Sequence, residues 1–169
     1  HTPQRGKEMR RSILVALLCL SFPWSGLGQG RATLTSPVLK TETDTITFTT
    51  RFSSFIDGND YRIGVGAIGE ELAGAQFELS RGGSALSKEL FSFRQGFAAA
   101  YFNVDEIQIQ GYFFPSAELP AGDEELTLKV TLPRSEAEKA ERIFIIITKQ
   151  FGPDTWYIMD GAEINNTHF

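Results

Sequence analysis

Six acidic residues beside turn signals, Asp57, Asp60, Asp123, Glu124, Asp160 and Glu163, are the side chains of this chain best suited to acid–base work. Two carboxylates flanking a glycosidic bond suffice for a glycoside hydrolase, so a small two-carboxylate hydrolase is one reading. Acids beside turns are ordinarily solvated, however, and residue type alone does not pair them. Nucleophilic catalysis is poorly supplied. The single cysteine, Cys19, lies in an N-terminal apolar stretch, and the only histidine after residue 1 is His168. A Ser-His-Asp triad built on such a histidine would be unusual, and the same scarcity removes the common zinc and copper ligand sets.

Asp57-Gly58-Asn59-Asp60 gathers three oxygen-bearing side chains in four residues, a donor set that calcium accepts. The spacing departs from the usual calcium loop and no bidentate Glu follows, which favours a simple Asx turn. Asp160-Gly161 followed by Glu163 invites the same idea with the same weakness. No other cofactor is implied. Trp156 and Tyr157 stand beside a turn, and adjacent strand residues point to opposite faces. One of them is expected to enter the core and the other to stay partly exposed. Aromatic rings beside Asn, Asp and Gln suit stacking on a sugar ring. Two further features bear on a ligand. Gly64 and Gly66 fall on one strand face and leave space for a ring, a backbone or a ligand; Gln108 and Gln110 face solvent or a polar ligand.

These residues need a frame, and the frame reads as β. In Arg142 to Ile164, the run Ile143–Ile147 is five large apolar residues, four of them β-branched, which suits a strand covered on both faces. Gly152-Pro153-Asp154 breaks the chain before a second strand from Trp156, giving a central hairpin. Thr45 to Phe52 alternates, with Ile46, Phe48 and Phe52 on one face. Glu125 to Leu132 does the same through Leu126, Leu128, Val130 and Leu132. Tyr61–Gly69, Gln76–Ser80 and Glu106–Phe114 are further strands, and Arg31–Thr43 is an edge strand or lead-in arm. Ser84–Asn103 mixes helical and alternating spacing; two strands turning at Gln95-Gly96 is the preferred reading. Ser135 and Glu138 have capping-box spacing and predict at most one short helix near 135–141. Short strands separated by turn residues predict an all-β, antiparallel two-sheet sandwich of jelly-roll type. An outer-membrane barrel fits less well, because Ile143–Ile147 ignores in–out alternation.

The chain has 169 residues, 41% hydrophobic and 22% charged, the composition of a folded domain. Fourteen Phe point to a core built largely of aromatic rings. Met9-Arg10-Arg11, the apolar stretch Ser12–Phe22 and small residues at Ser25, Gly26, Gly28 and Gly30 have the layout of a secretory signal peptide. The expected organisation is therefore an extension plus signal over 1–30 and one sandwich domain over 31–169. It is expected to be secreted or periplasmic, with no membrane span once the signal is removed. Setting aside Arg5, Lys7, Arg10, Arg11 and Glu8 leaves 12 basic and 20 acidic side chains, a net of −8. That acidity disfavours nucleic acid and anionic membranes as partners. The leading expectation is a non-catalytic binding module for a glycan or other extracellular ligand. The alternatives are a structural or assembly protein of the cell envelope with a protein partner, and the hydrolase. Asn165-Asn166-Thr167 also matches the N-glycosylation pattern.

Overall fold

The computed structural model describes residues 32–164 apart from 57, 97 and 98. The expected signal peptide, Asp57, the glycosylation pattern at Asn165 and His168 fall outside the described residues.

Eleven strands, two short α-helices and one 3-10 turn (Ser116–Glu118) are present among the described residues. In order the strands and α-helices are β1 (Thr33–Leu34), β2 (Val38–Thr41), β3 (Thr45–Ser53), β4 (Tyr61–Ala67), β5 (Gln76–Arg81), β6 (Ser84–Ala85), β7 (Phe91–Gly96), α1 (Ala99–Phe102), β8 (Glu106–Phe114), β9 (Leu126–Pro133), α2 (Arg134–Lys139), β10 (Ile143–Gln150) and β11 (Trp156–Ile164). Every strand pairing is antiparallel. One sheet has the order β1-β3-β9-β5-β6, with β2 also on β3; the other runs β11-β10-β4-β8-β7. This is the expected all-β sandwich.

The alternating strands face as their sequences predict. Ile46, Phe48 and Phe52 of β3 and Leu126, Leu128, Val130 and Leu132 of β9 are buried from one side. They meet Ile63 and Val65 of β4, Tyr112 and Phe114 of β8, and Ile143, Ile145 and Ile147 of β10 in one core between the sheets. The core is more aliphatic than the fourteen Phe suggest: of the described phenylalanines only 48, 52, 102, 114 and 144 are buried.

Strand β10 is buried on both faces, as its apolar run requires. Phe144 and Ile146 point away from the main core into a second cluster with Phe102, Ile107 and Ile109. Helix α1 supplies the cover, with the Phe102 ring 4.3 Å from that of Phe144. Three expectations are corrected here. No hairpin turns at Gln95-Gly96; β7 runs through both residues, and the chain then enters α1. The second strand expected there is replaced by this helical turn, because Phe102 is needed over Phe144 and Gly161. Helix α2 starts at Arg134 directly after Pro133 with no side-chain cap, so Ser135 and Glu138 form no capping box. The Arg134 amide donates to Asp44 O at 2.8 Å, and Glu138 accepts from Arg134 Nε at 2.9 Å.

Candidate functional site

The β10–β11 hairpin tip is where the ligand-suited residues gather. Gly152 at φ +79° permits the turn, closed by Phe151 N donating to Thr155 O at 2.7 Å. Gln150 Nε2 donates to Pro153 O at 3.0 Å, bracing the tip from inside. Gln150 N donates to Asp60 O at 3.0 Å, which ties the hairpin to the β3–β4 loop. Between the two loops lies an open hollow of about 310 Å3, lined by Gly58, Asn59, Asp60, Gln150, Gly152 and Pro153.

Two rings stand exposed at this tip, Phe151 at 51% and Tyr157 at 53%. Their centroids are 5.1 Å apart and the planes nearly perpendicular. The Lys149 ammonium lies 4.4 Å from the Phe151 centroid, and partial burial pushes its pKa down. Trp156 faces the other side of the sheet. Its ring lies 3.8 Å from the Arg62 guanidinium carbon, and Phe93 lies 4.3 Å from the same carbon. Phe113 meets Trp156 edge-on at 6.1 Å. Burial among these rings lowers the Arg62 pKa.

A β-bulge decides which ring goes where. The β10–β11 register pairs Ile147 with Asp160 but Thr148 with Ile158, so Met159 is the extra residue of the bulge. The extra residue exchanges the faces of everything before it, sending Trp156 to the Arg62 side and Tyr157 to the tip. Neither ring enters the main core.

The other predicted residues divide. Asn59 and Asp60 line the hollow. Asp60 Oδ1 is taken by the Ser116 amide at 2.9 Å, and Gly58 N donates to Ser116 Oγ at 2.9 Å, so the loop is held by the protein itself. No group of three His, Cys, Asp or Glu is placed to hold a metal ion among the described residues. The bare face at Gly64 and Gly66 is filled, which corrects the groove reading. A Cβ at Gly64 would lie 2.3 Å from Gln110 O and 2.7 Å from Gly111 Cα; one at Gly66 would lie 2.3 Å from Ile107 Cγ2. Gln110 turns away from this face and accepts the Leu72 amide at 3.1 Å, pinning the β4–β5 loop. Gln108 shares its strand face, opposite Arg94 and Ala67. The glutamines are therefore on the side of the sheet away from Trp156.

The candidate acids are engaged separately. Glu124 takes both Arg81 Nε at 2.9 Å and Nη2 at 2.8 Å. Asp160 accepts Leu34 N at 3.0 Å and Tyr101 OH at 2.9 Å. Glu163 accepts Arg142 Nε at 2.6 Å and Nη2 at 2.9 Å, and this pairing holds its pKa below the usual carboxylate range. Asp123 stands on an exposed loop. A larger hollow of about 560 Å3 lies by β5 and β6, but its lysines Lys88 and Lys129 are both paired, with Glu118 and Glu78.

Phe151, Gln150, Arg62 and Phe93 were not marked by their sequence pattern. A signal existed for two: Arg62 interrupts an otherwise apolar, glycine-rich strand, and Phe151 abuts the Gly152 break.

The class these features define is an antiparallel β-sandwich with its loops gathered around one hairpin end. No protein-family model matches the chain, and no curated protein does. Among solved structures, the N-terminal domain of PorA is similar at 15% sequence identity with a TM-score of 0.35, over 79% of this chain and 85% of that one. At that level the likeness says nothing about function.

Proposed function

We propose that the protein is an exported, non-catalytic β-sandwich module that binds a saccharide at the β10–β11 hairpin end. The observation that carries this reading is the exposed Phe151–Tyr157 pair beside a hollow lined by Asn59, Asp60 and Gln150. Rings at a loop tip braced by a rigid sheet present apolar faces to sugar C–H groups without first having to be ordered. Planar amide and carboxylate groups nearby supply hydrogen bonds to hydroxyls. A glycan array with wild type, Tyr157→Ala and Trp156→Ala tests it. Tyr157→Ala is expected to lower binding at least tenfold, whereas wild-type protein that binds no glycan sinks the reading.

A second reading is favoured by the edge strand β7. Among the described residues it pairs only with β8; Phe91 on it and Leu90 just before it are 42% and 40% exposed. An uncovered edge with apolar residues suits pairing with a strand of another chain, as in an envelope assembly protein. Light scattering at increasing concentration and pull-down from envelope extracts, each repeated with Phe91→Lys, would expose such pairing. A species indifferent to Phe91→Lys in both assays removes it.

A further inference from the structure

Eleven lysines and arginines lie among the described residues. Nine of them form ion pairs with Asp or Glu. The two that do not are Arg62 and Lys149, and both sit at the hairpin end against aromatic rings. In a chain of net charge −5 acids are plentiful, so two cations left without one at the same end stand out.

Arg62 is the better built of the two. Its guanidinium is held between Trp156 of β11 and Phe93 of β7, one on each edge strand of the sheet. Contact with the two rings gives its N–H donors no acceptor, and Nε is buried with no hydrogen-bond partner. Directly across the ladder is Thr148, 1% exposed, whose Oγ1 also has no partner. Facing residues of an antiparallel pair bring their Cβ atoms within about 5 Å, so the two side chains that carry these orphan atoms rise side by side from one face of the sheet. A buried polar group without a partner destabilises the fold; two side by side, one on a fixed fork, form a receptor for an oxyanion. Arginine suits this task because its donors match two oxygens at once.

We infer that Arg62, with Thr148, anchors an oxyanion group where the ligand crosses the β11 edge from the Tyr157 face to the Trp156 face, making that ligand an acidic rather than a neutral saccharide. The oxyanion anchor depends on Arg62 and Thr148 alone; that a saccharide carries the oxyanion rests on the proposed function above. Carboxylate and sulfate share the required chemistry.

The test is calorimetric titration of the full-length protein with oligogalacturonate, a sulfated galactan oligomer, a neutral galactan oligomer and polyglutamate. At least one acidic oligomer is expected to bind tenfold or more tightly than the neutral one. Whichever is the tighter identifies the group as carboxylate or sulfate. Arg62→Met should reduce that oligomer to the neutral level, and Arg62→Lys should restore only part, because an ammonium lacks the fork. If Arg62→Met does not fold, Thr148→Val and Arg62→Lys carry the test, each expected to weaken the acidic oligomer alone. Equal binding of neutral and acidic oligomers, still lost in Tyr157→Ala, overturns the oxyanion anchor and leaves the saccharide reading standing. Arg62-dependent binding of polyglutamate as tight as that of either acidic oligomer keeps the anchor and removes the sugar. Acidic binding unchanged in folded Arg62→Met overturns the inference, and no binding of any ligand overturns both.

Discussion

Gln95 Nε2 donates to the main-chain oxygen of Trp156 at 3.0 Å, and these residues belong to opposite edge strands of one five-stranded sheet. Four strand spacings of about 4.8 Å would put flat edges about 19 Å apart. A single side chain spans the gap, so the sheet curls over its outer face. Arg62, stacked between Phe93 and Trp156, closes the same gap. The sheet thereby holds its second apolar cluster in a trough and not on an open face.

Gln95 is 7% exposed, so Gln95→Leu removes the link without a large change in volume. The expected cost is about 0.5–1.5 kcal/mol, the net contribution of one part-buried hydrogen bond. Because Trp156 is freed from one restraint, its fluorescence should move to longer wavelength before global unfolding in urea. A variant with unchanged midpoint and emission would mean that the curl does not depend on this bond.

Curling needs small residues on the concave face. Gly64 and Gly111 are register partners, and a Cβ on either would sit 2.3 Å or 2.1 Å from a carbonyl oxygen of the facing strand. Backbone cannot step aside as a side chain can. Gly64→Ala and Gly111→Ala should each cost about 3 kcal/mol, the upper part of the overpacking range. Gly96 is the internal control: nothing lies within 4 Å of its Cβ position and its φ is not positive. Gly96→Ala should be neutral or stabilising by up to about 1 kcal/mol, through the unfolded chain. Chemical denaturation of the three variants checks the order.

The sandwich was legible because its strands obey period two: Ile46, Phe48 and Phe52, or Leu126 to Leu132, point inward as their spacing says. Ile143–Ile147 also announced two covered faces, but not what covers them. That task falls to Phe102, whose α1 turn follows a strand carrying mixed signals. The site was legible only in part. Asn59, Asp60, Trp156 and Tyr157 do gather at one end, because turns bring loops together whatever the strand order. Gly64 and Gly66 misled, since a bare strand face looks the same whether a ligand or a facing backbone fills it. The Met159 bulge was invisible, as no single residue type encodes it, and it alone decides which aromatic meets Arg62.

Asp160 separates a catalytic acid from a structural one. Its carboxylate takes the Leu34 amide from β1 of the other sheet and the Tyr101 hydroxyl from α1. Asp160→Ala should lower stability by about 1.5–3 kcal/mol, the range for hydrogen bonds to a charged group. Hydrogen exchange should quicken in β1 and α1 more than in β9. Exchange rising evenly over both sheets would show that Asp160 is not the local tie between them.

The Arg142–Glu163 pair sets a pH dependence with a definite sign. Hydrogen bonding to Arg142 lowers the Glu163 pKa from its ordinary 4.5. A folded-state pKa below the unfolded one means stabilisation that is complete above about 4.5 and lost as pH falls through the lower folded value. The side chains are 28% and 41% exposed, so solvent screening keeps the contribution under about 1 kcal/mol. The difference in urea midpoint between wild type and Glu163→Gln should therefore be small and constant from pH 8 to about pH 5. Below that it should shrink towards zero, since protonated wild-type Glu163 then resembles the amide. Raising the salt at pH 7 should shrink it in the same way. A difference that grows as the solution is acidified would show that the pair does not stabilise the fold, and that the Arg142 stacking on Phe144, at 4.9 Å, holds this edge instead.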